Sequence, residues 1–241
     1  MDKLHLVCLC CLVGTIVSAT SPQPAATEQA AAVAFTMVTA GNSPYPINDR
    51  KNLSVHCGGG KGVLISPHWV LTASHCITSQ KAKTGKVKVR FTTLKQKPAT
   101  IAVNKVLRHK TKDLALLRLV RPVKVDDRPA VLLLRQKLDR EDGKLSIKKV
   151  AGNQVWRDIP AIGGSDNLRV PKKQDRRGKA GSSGGPWLIH SKEVGDVLVG
   201  ITHGGGFAPQ VAFAATWIHE SVSTHSNDRL IWATKKQTLG R

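Results

Sequence analysis

Apolar residues in this chain come in short runs. Gly62 to Ile65, Val87 to Phe91, Ile101 to Leu107, Leu114 to Val120, Val131 to Leu134 and Val197 to Ile201 are rich in Val, Ile and Leu, and Gly, Pro or charged residues punctuate them. Many short strands at fairly regular spacing predict an all-β sandwich or barrel, not alternating βαβ units. From Lys81 to Arg90 Lys alternates with small or apolar residues, as in Lys86-Val87-Lys88-Val89-Arg90, which predicts a strand with one dry face and one wet, charged face. Charge of that kind also protects an edge strand from unwanted pairing. Trp217-Ile218 and Leu230-Ile231-Trp232 sit among helix-compatible polar residues and predict a C-terminal helix that docks an apolar stripe on the β structure. No repeat of fixed period runs through the chain.

The N-terminus has a different texture. Lys3, the apolar run from Leu6 to Val17 and the small residues Val17-Ser18-Ala19 read as a secretory signal over 1–19, cut after Ala19. The run is shorter than the roughly 20 residues that span a bilayer, so a secreted, extracellular product without a membrane span is expected. Residues 20–36, rich in Ala, Pro, Thr and Gln, read as a flexible leader or short propeptide. The remainder, 37–241, is long and apolar enough for one compact domain, and a monomer is expected.

Removing the signal removes Cys8, Cys10 and Cys11 and leaves Cys57 and Cys76. An even pair in an oxidising compartment suggests one disulfide, with two buried free thiols as the alternative. Once the signal is removed no CxxC spacing is left, and no HExxH spacing is present, so a Cys/His metal site is not expected. Lys and Arg number 37 against 16 Asp and Glu, a net charge of +21, and the resulting field attracts acidic polymers. With 4% aromatic residues and no zinc-finger or RNP-like motif, sequence-specific nucleic-acid recognition is not expected. Pro171 to Lys179 is a cationic loop, by default a solvated surface. Asn52-Leu53-Ser54 is a glycosylation acceptor if the host is eukaryotic.

Three segments carry chemistry. In Trp69-Val70-Leu71-Thr72-Ala73-Ser74-His75-Cys76 a histidine follows a strand beside a cysteine, where a general base is useful. In Asp113-Leu114-Ala115-Leu116-Leu117-Arg118-Leu119 a carboxylate stands just ahead of an apolar strand, where partial burial lets it bond a histidine in place of water. In Gly181-Ser182-Ser183-Gly184-Gly185-Pro186 glycines let the backbone turn sharply around a serine, and the N–H groups of Gly181 and Ser183 can converge on one oxygen. A serine, an imidazole, a carboxylate and backbone donors are what serine-based peptide hydrolysis needs.

Together these blocks resemble, in order and interval, those of the chymotrypsin-like (trypsin) serine proteases, and the likeness runs from Met37 to Trp232, with Val150-Ala151-Gly152, Leu198-Val199-Gly200-Ile201 and Pro209-Gln210-Val211. The resemblance implies two six-stranded antiparallel β-barrels with a C-terminal helix. It implies a serine endopeptidase acting on proteins or peptides, with Ser183 as nucleophile, His75 as acid and base, Asp113 as its orienting partner, Gly181 and Ser183 as oxyanion hole, and no cofactor. Ser182 stands where the family usually has an aspartate, and no Arg-Ile-Val-Gly-Gly activation site is present, which is more similar to the HtrA and glutamyl-endopeptidase branches. Arg177 falls at the substrate-pocket base and would favour acidic side chains; if the loop shifts, Asp175 would favour Lys or Arg. His203 is expected along the pocket wall. A second reading, a catalytically weak homologue that binds acidic polymers or anionic surfaces, follows from the missing activation pair and the charge.

Overall fold

The structure, a computed structural model, describes residues 54–57, 59–94, 97–124, 131–151, 154–171, 182–204 and 206–241, all within a compact unit spanning Val33–Arg241. The expected signal (1–19) and leader (20–36), Asn52, Asp175, Arg177 and Gly181 lie outside the described residues. Strands dominate: β1 (Ser54–Cys57), β2 (Gly60–Ser66), β3 (Trp69–Thr72), β4 (Lys88–Leu94), β5 (Lys97–Arg108), β6 (Ala115–Leu119), β7 (Leu132–Leu134), β8 (Lys144–Ala151), β9 (Gln154–Ile162), β10 (Asn167–Arg169), β11 (Pro186–Ser191), β12 (Gly195–Ile201), β13 (Phe207–Pro209) and β14 (Trp232–Ala233). Among the described residues three α-helices accompany them: α1 (Ser79–Lys83), α2 (Ala215–His225) and α3 (Lys235–Leu239). No helix among the described residues is long and apolar enough to cross a membrane.

The first lobe is a closed six-stranded barrel in the order β1-β2-β3-β6-β5-β4. Val87 and Val89 point into it and Lys86, Lys88 and Arg90 point out, as the alternation predicts, but β4 begins only at Lys88 and Lys81 to Lys83 form the end of α1 in place of the expected strand. The second lobe is an eight-stranded sheet, β13-β10-β9-β8-β11-β12-β7-β14. It curls so that Gln210, just past β13, forms an isolated bridge with Gly200 in β12, consistent with a second barrel; β7 and β14 extend the sheet through parallel pairings.

Continuous apolar runs are explained by burial on both faces. In β2 and β3, Leu64 and Val70 fill the first barrel, whereas Val63, Ile65 and Leu71 join a shared core between the lobes with Leu188, Leu198, Ile201 and Trp232. In the second lobe Trp187, Ile189, Val197 and Val199 point inward, while their neighbours Leu188 and Leu198 face the first. Side chains alternate across a strand, so a strand between two cores has no wet face, and each fully buried Val, Leu or Ile contributes about 1.5–3 kcal/mol.

The C-terminus corrects the expected single helix. Ile218 and Val222, one turn apart on α2, are buried against the shared core. The chain then turns at Asp228, whose carboxylate accepts from the Ser66 hydroxyl, the His68 N–H and His68 Nδ1 at 2.8, 2.8 and 2.9 Å. Leu230 to Trp232 do not continue the helix: the Ile231 carbonyl accepts from the Leu133 N–H at 2.9 Å, and Trp232 belongs to β14. Three consecutive large apolar residues suit a strand buried on both faces better than a one-sided helix.

Candidate active site

β3 ends at Thr72, and a 3-10 turn, Ser74–Cys76, lifts His75 out of the first barrel. Arg108, the last residue of β5, clamps this turn: Nη1 donates to the Ser74 carbonyl and hydroxyl, both at 2.7 Å, and Nη2 donates to the Ile77 carbonyl. A guanidinium carries its donors in a rigid fork, so a single side chain holds both ends of the turn.

Asp113 stands two residues before β6. Its Oδ1 accepts from the His75 N–H at 2.9 Å, and its Oδ2 accepts from His75 Nδ1 at 2.6 Å and from His203 Nδ1 at 2.5 Å. An ionised carboxylate only accepts, so both imidazoles carry their proton on Nδ1 and leave Nε2 as the free nitrogen. The two rings meet edge to face, 5.4 Å between centroids. Burial works against the Asp113 charge, but the hydrogen bonds from His203 and His75 outweigh it and hold the carboxyl below its ordinary pKa.

Ser183 comes from the turn before β11, docked on the edge of the first barrel. Its carbonyl accepts from the Lys61 N–H at 2.7 Å, the Gly184 N–H donates to the Thr202 carbonyl at 2.7 Å, and the Thr202 N–H donates to the Gly185 carbonyl at 2.8 Å. The Ser183 hydroxyl donates to the His203 carbonyl at 3.3 Å, so His203 touches the cluster twice, through its ring and through its backbone. Gly184 has φ +80°, and a Cβ there would lie 2.0 Å from the Lys61 carbonyl oxygen and 2.5 Å from the Thr72 hydroxyl. Gly184→Ala is therefore expected to lower stability by about 3 kcal/mol, left-handed strain and overpacking together; a denaturation midpoint within error of the parent's would contradict this account.

Next to Lys61 and Thr72 lie Cys57 and Cys76. The expected disulfide is not formed in this structure, where Cys57 and Cys76 are free, buried thiols. Cys57 Sγ donates to the Lys61 carbonyl at 2.9 Å and approaches the Thr72 hydroxyl at 3.2 Å, and Cys76 interacts with the Thr72 side chain and the Lys61 backbone. Burial pushes the Cys57 thiol up to about 12 and raises Cys76 as well.

A family model described as Trypsin matches residues 33–153. The chain belongs to the trypsin family. It is a trypsin-like serine protease in the general sense, one of a class of hydrolases that act on protein substrates. The matched stretch includes His75 and Asp113 and ends before Ser183.

Of the residues singled out by the sequence, His75 is bonded to Asp113, Ser183 is bonded to the His203 carbonyl, and His203, expected along the pocket wall, has its imidazole on Asp113. Two contacts went unforeseen. Arg108 is marked in the sequence only as a cation closing an apolar run. His203 lies 90 residues from Asp113, and no local pattern ties the two together.

Proposed function

We propose that the chain is a secreted serine endopeptidase in which Ser183 is the nucleophile, His75 its base and Asp113 the carboxylate that orients the base. The observation that carries this reading is the pair of hydrogen bonds from His75 to Asp113, through Nδ1 at 2.6 Å and the backbone N–H at 2.9 Å. They place the proton on Nδ1 and leave Nε2 to accept one. The serine hydroxyl, which donates to the His203 carbonyl at 3.3 Å in this structure, would have to exchange that partner for His75 Nε2.

On attack, the Ser183 Oγ–carbon bond forms as the hydroxyl proton passes to Nε2. The oxyanion is received by the N–H groups of Ser183 and Gly181. Collapse breaks the carbon–nitrogen bond, His75 hands its proton to the departing amine, and water activated by the same imidazole hydrolyses the acyl-enzyme. Export through the segment before Thr20 delivers the enzyme outside the cell. Whether Arg177 or Asp175 governs the pocket decides between acidic and basic substrate side chains, and peptide-library profiling separates them.

The experiment that tests the catalytic reading is labelling of the folded, signal-free chain by a fluorophosphonate probe, with the adduct mapped by mass spectrometry. Stoichiometric modification of Ser183 is expected. A chain that stays unlabelled, or that is labelled at another serine, overturns the assignment.

A further inference from the structure

Two imidazoles on one carboxylate are more than a proton relay requires. We propose that His75, Asp113 and His203 also form a binding site for a zinc-class dication, and that filling it switches the hydrolytic relay off. The switching half of this inference rests on the catalytic reading above; the binding half does not.

One ligand atom from each of the three residues lies within 4.8 Å of the others. Two histidines and a carboxylate, with a fourth position left to water, are a donor set that Zn²⁺ adopts. In the structure the two Nδ1 atoms sit 2.6 and 2.5 Å from Oδ2. Neighbouring ligands around tetrahedral zinc are roughly 3.4 Å apart, from bonds of about 2.1 Å, so each ring has to draw back by less than ~1 Å. The rings have that freedom: the side chains of His75 and His203 are 45% and 54% exposed, against 20% for Asp113. The carboxylate meanwhile stays put, because Oδ1 keeps the His75 N–H, the kind of outer contact that orients a metal-binding carboxylate. Among the described residues, two nearby cations are engaged elsewhere. Lys112 pairs with Asp166 at 2.6 Å, and Arg108 faces the carbonyls of Ser74 and Ile77.

The protons balance within the rings. Each neutral imidazole moves its single proton from Nδ1 to Nε2 by exchange with solvent, the Nδ1 lone pair goes to the metal, and no proton is released from either ring. On His75 this puts a hydrogen on the nitrogen that must accept the serine proton, so the metal-bound form has no base. Removing the metal reverses the shift.

The test is calorimetric titration of the full chain with zinc, alongside fluorophosphonate labelling of Ser183 with and without zinc. One zinc per chain is expected at this site, with labelling suppressed by zinc and restored by a chelator. His203→Ala, which removes a ligand, and His203→Asn, which keeps a donor toward Asp113 but not the imidazole, should each weaken zinc binding by about 100-fold or more, since outer-shell partners alone are commonly worth about 10–100-fold. His190→Ala, at an exposed histidine that pairs with Asp196, should leave the affinity unchanged. No zinc binding by the folded parent, or unchanged affinity in both His203 variants, overturns the site; zinc bound there while Ser183 labels at the parent rate overturns the switch. Binding through His203 in a chain that never labels upholds the site and rejects the protease reading, and labelling without zinc binding does the reverse.

Discussion

Alanine at position 183 is expected to lower kcat by about 10⁵–10⁶-fold, to the level sustained by substrate binding and oxyanion stabilisation alone. The stability of the fold should hardly move. In the resting structure the Ser183 hydroxyl makes one long hydrogen bond, 3.3 Å to the His203 carbonyl, and losing it costs about 1 kcal/mol or less. The contacts that hold the turn in place come from the backbone: the Ser183 carbonyl to Lys61, the Gly184 N–H to Thr202, the Gly185 carbonyl to Thr202. None of them depends on the hydroxyl. Initial rates on a cleaved peptide, taken with a denaturation midpoint for each protein, separate the two effects. Retention of more than about 1% of the parent rate would mean that another group supplies the nucleophile, and an equal fall in rate and midpoint would mean that the serine is structural.

Much of this arrangement is legible before folding, for reasons that differ by element. Lys86 to Arg90 show their alternation because that strand has water on one face, and a period of two then appears directly in the residue types. Val63 to Ile65 and Val197 to Val199 read only as apolar, because each run lies between two cores; the sequence marks a buried strand there but not which residue faces which core. His75, Asp113 and Ser183 are recognisable because each sits in a local block whose neighbours are also constrained: the cysteine after the histidine, the apolar strand after the aspartate, the glycines around the serine. Leu230 to Trp232 misled because a run of three apolar residues fits a helix stripe as easily as a doubly buried strand, and only pairing with β7 decides between them. The bond from His203 to Asp113 is beyond local reading, since the direction of a side chain leaving a loop is set by tertiary contacts. The thiols of Cys57 and Cys76 belong with it: Cys57 ends β1 and Cys76 closes the turn after β3, and their common contacts with Lys61 and Thr72 depend on how the barrel brings these segments together.

Asp113→Asn is the second large effect expected, a fall in kcat of about 10⁴-fold with little change in KM. Three donors face this side chain, the His75 N–H at Oδ1 and two Nδ1–H groups at Oδ2, whereas an amide offers one accepting oxygen and one donating nitrogen. If the NH₂ takes the Oδ1 position it opposes the His75 N–H, and leaving such a donor without an acceptor costs roughly 1–3 kcal/mol. If it takes the Oδ2 position it can donate to the two rings only when both give up their Nδ1 protons, and the rings can do so at modest cost by moving those protons to Nε2. The second arrangement is therefore favoured, and it leaves His75 correctly placed but carrying a proton where it should accept one. Stability provides an independent check with a definite sign. The folded Asp113 has a pKa below the ordinary value, so its contribution is fully present above the unfolded-state pKa of about 3.9 and is lost as pH falls through the lower folded value. The stability gap between the parent and Asp113→Asn should accordingly be widest near neutrality and shrink below about pH 4. A gap that stays constant through that range, or a variant that keeps the parent kcat, would show that the carboxylate charge does not organise the two imidazoles.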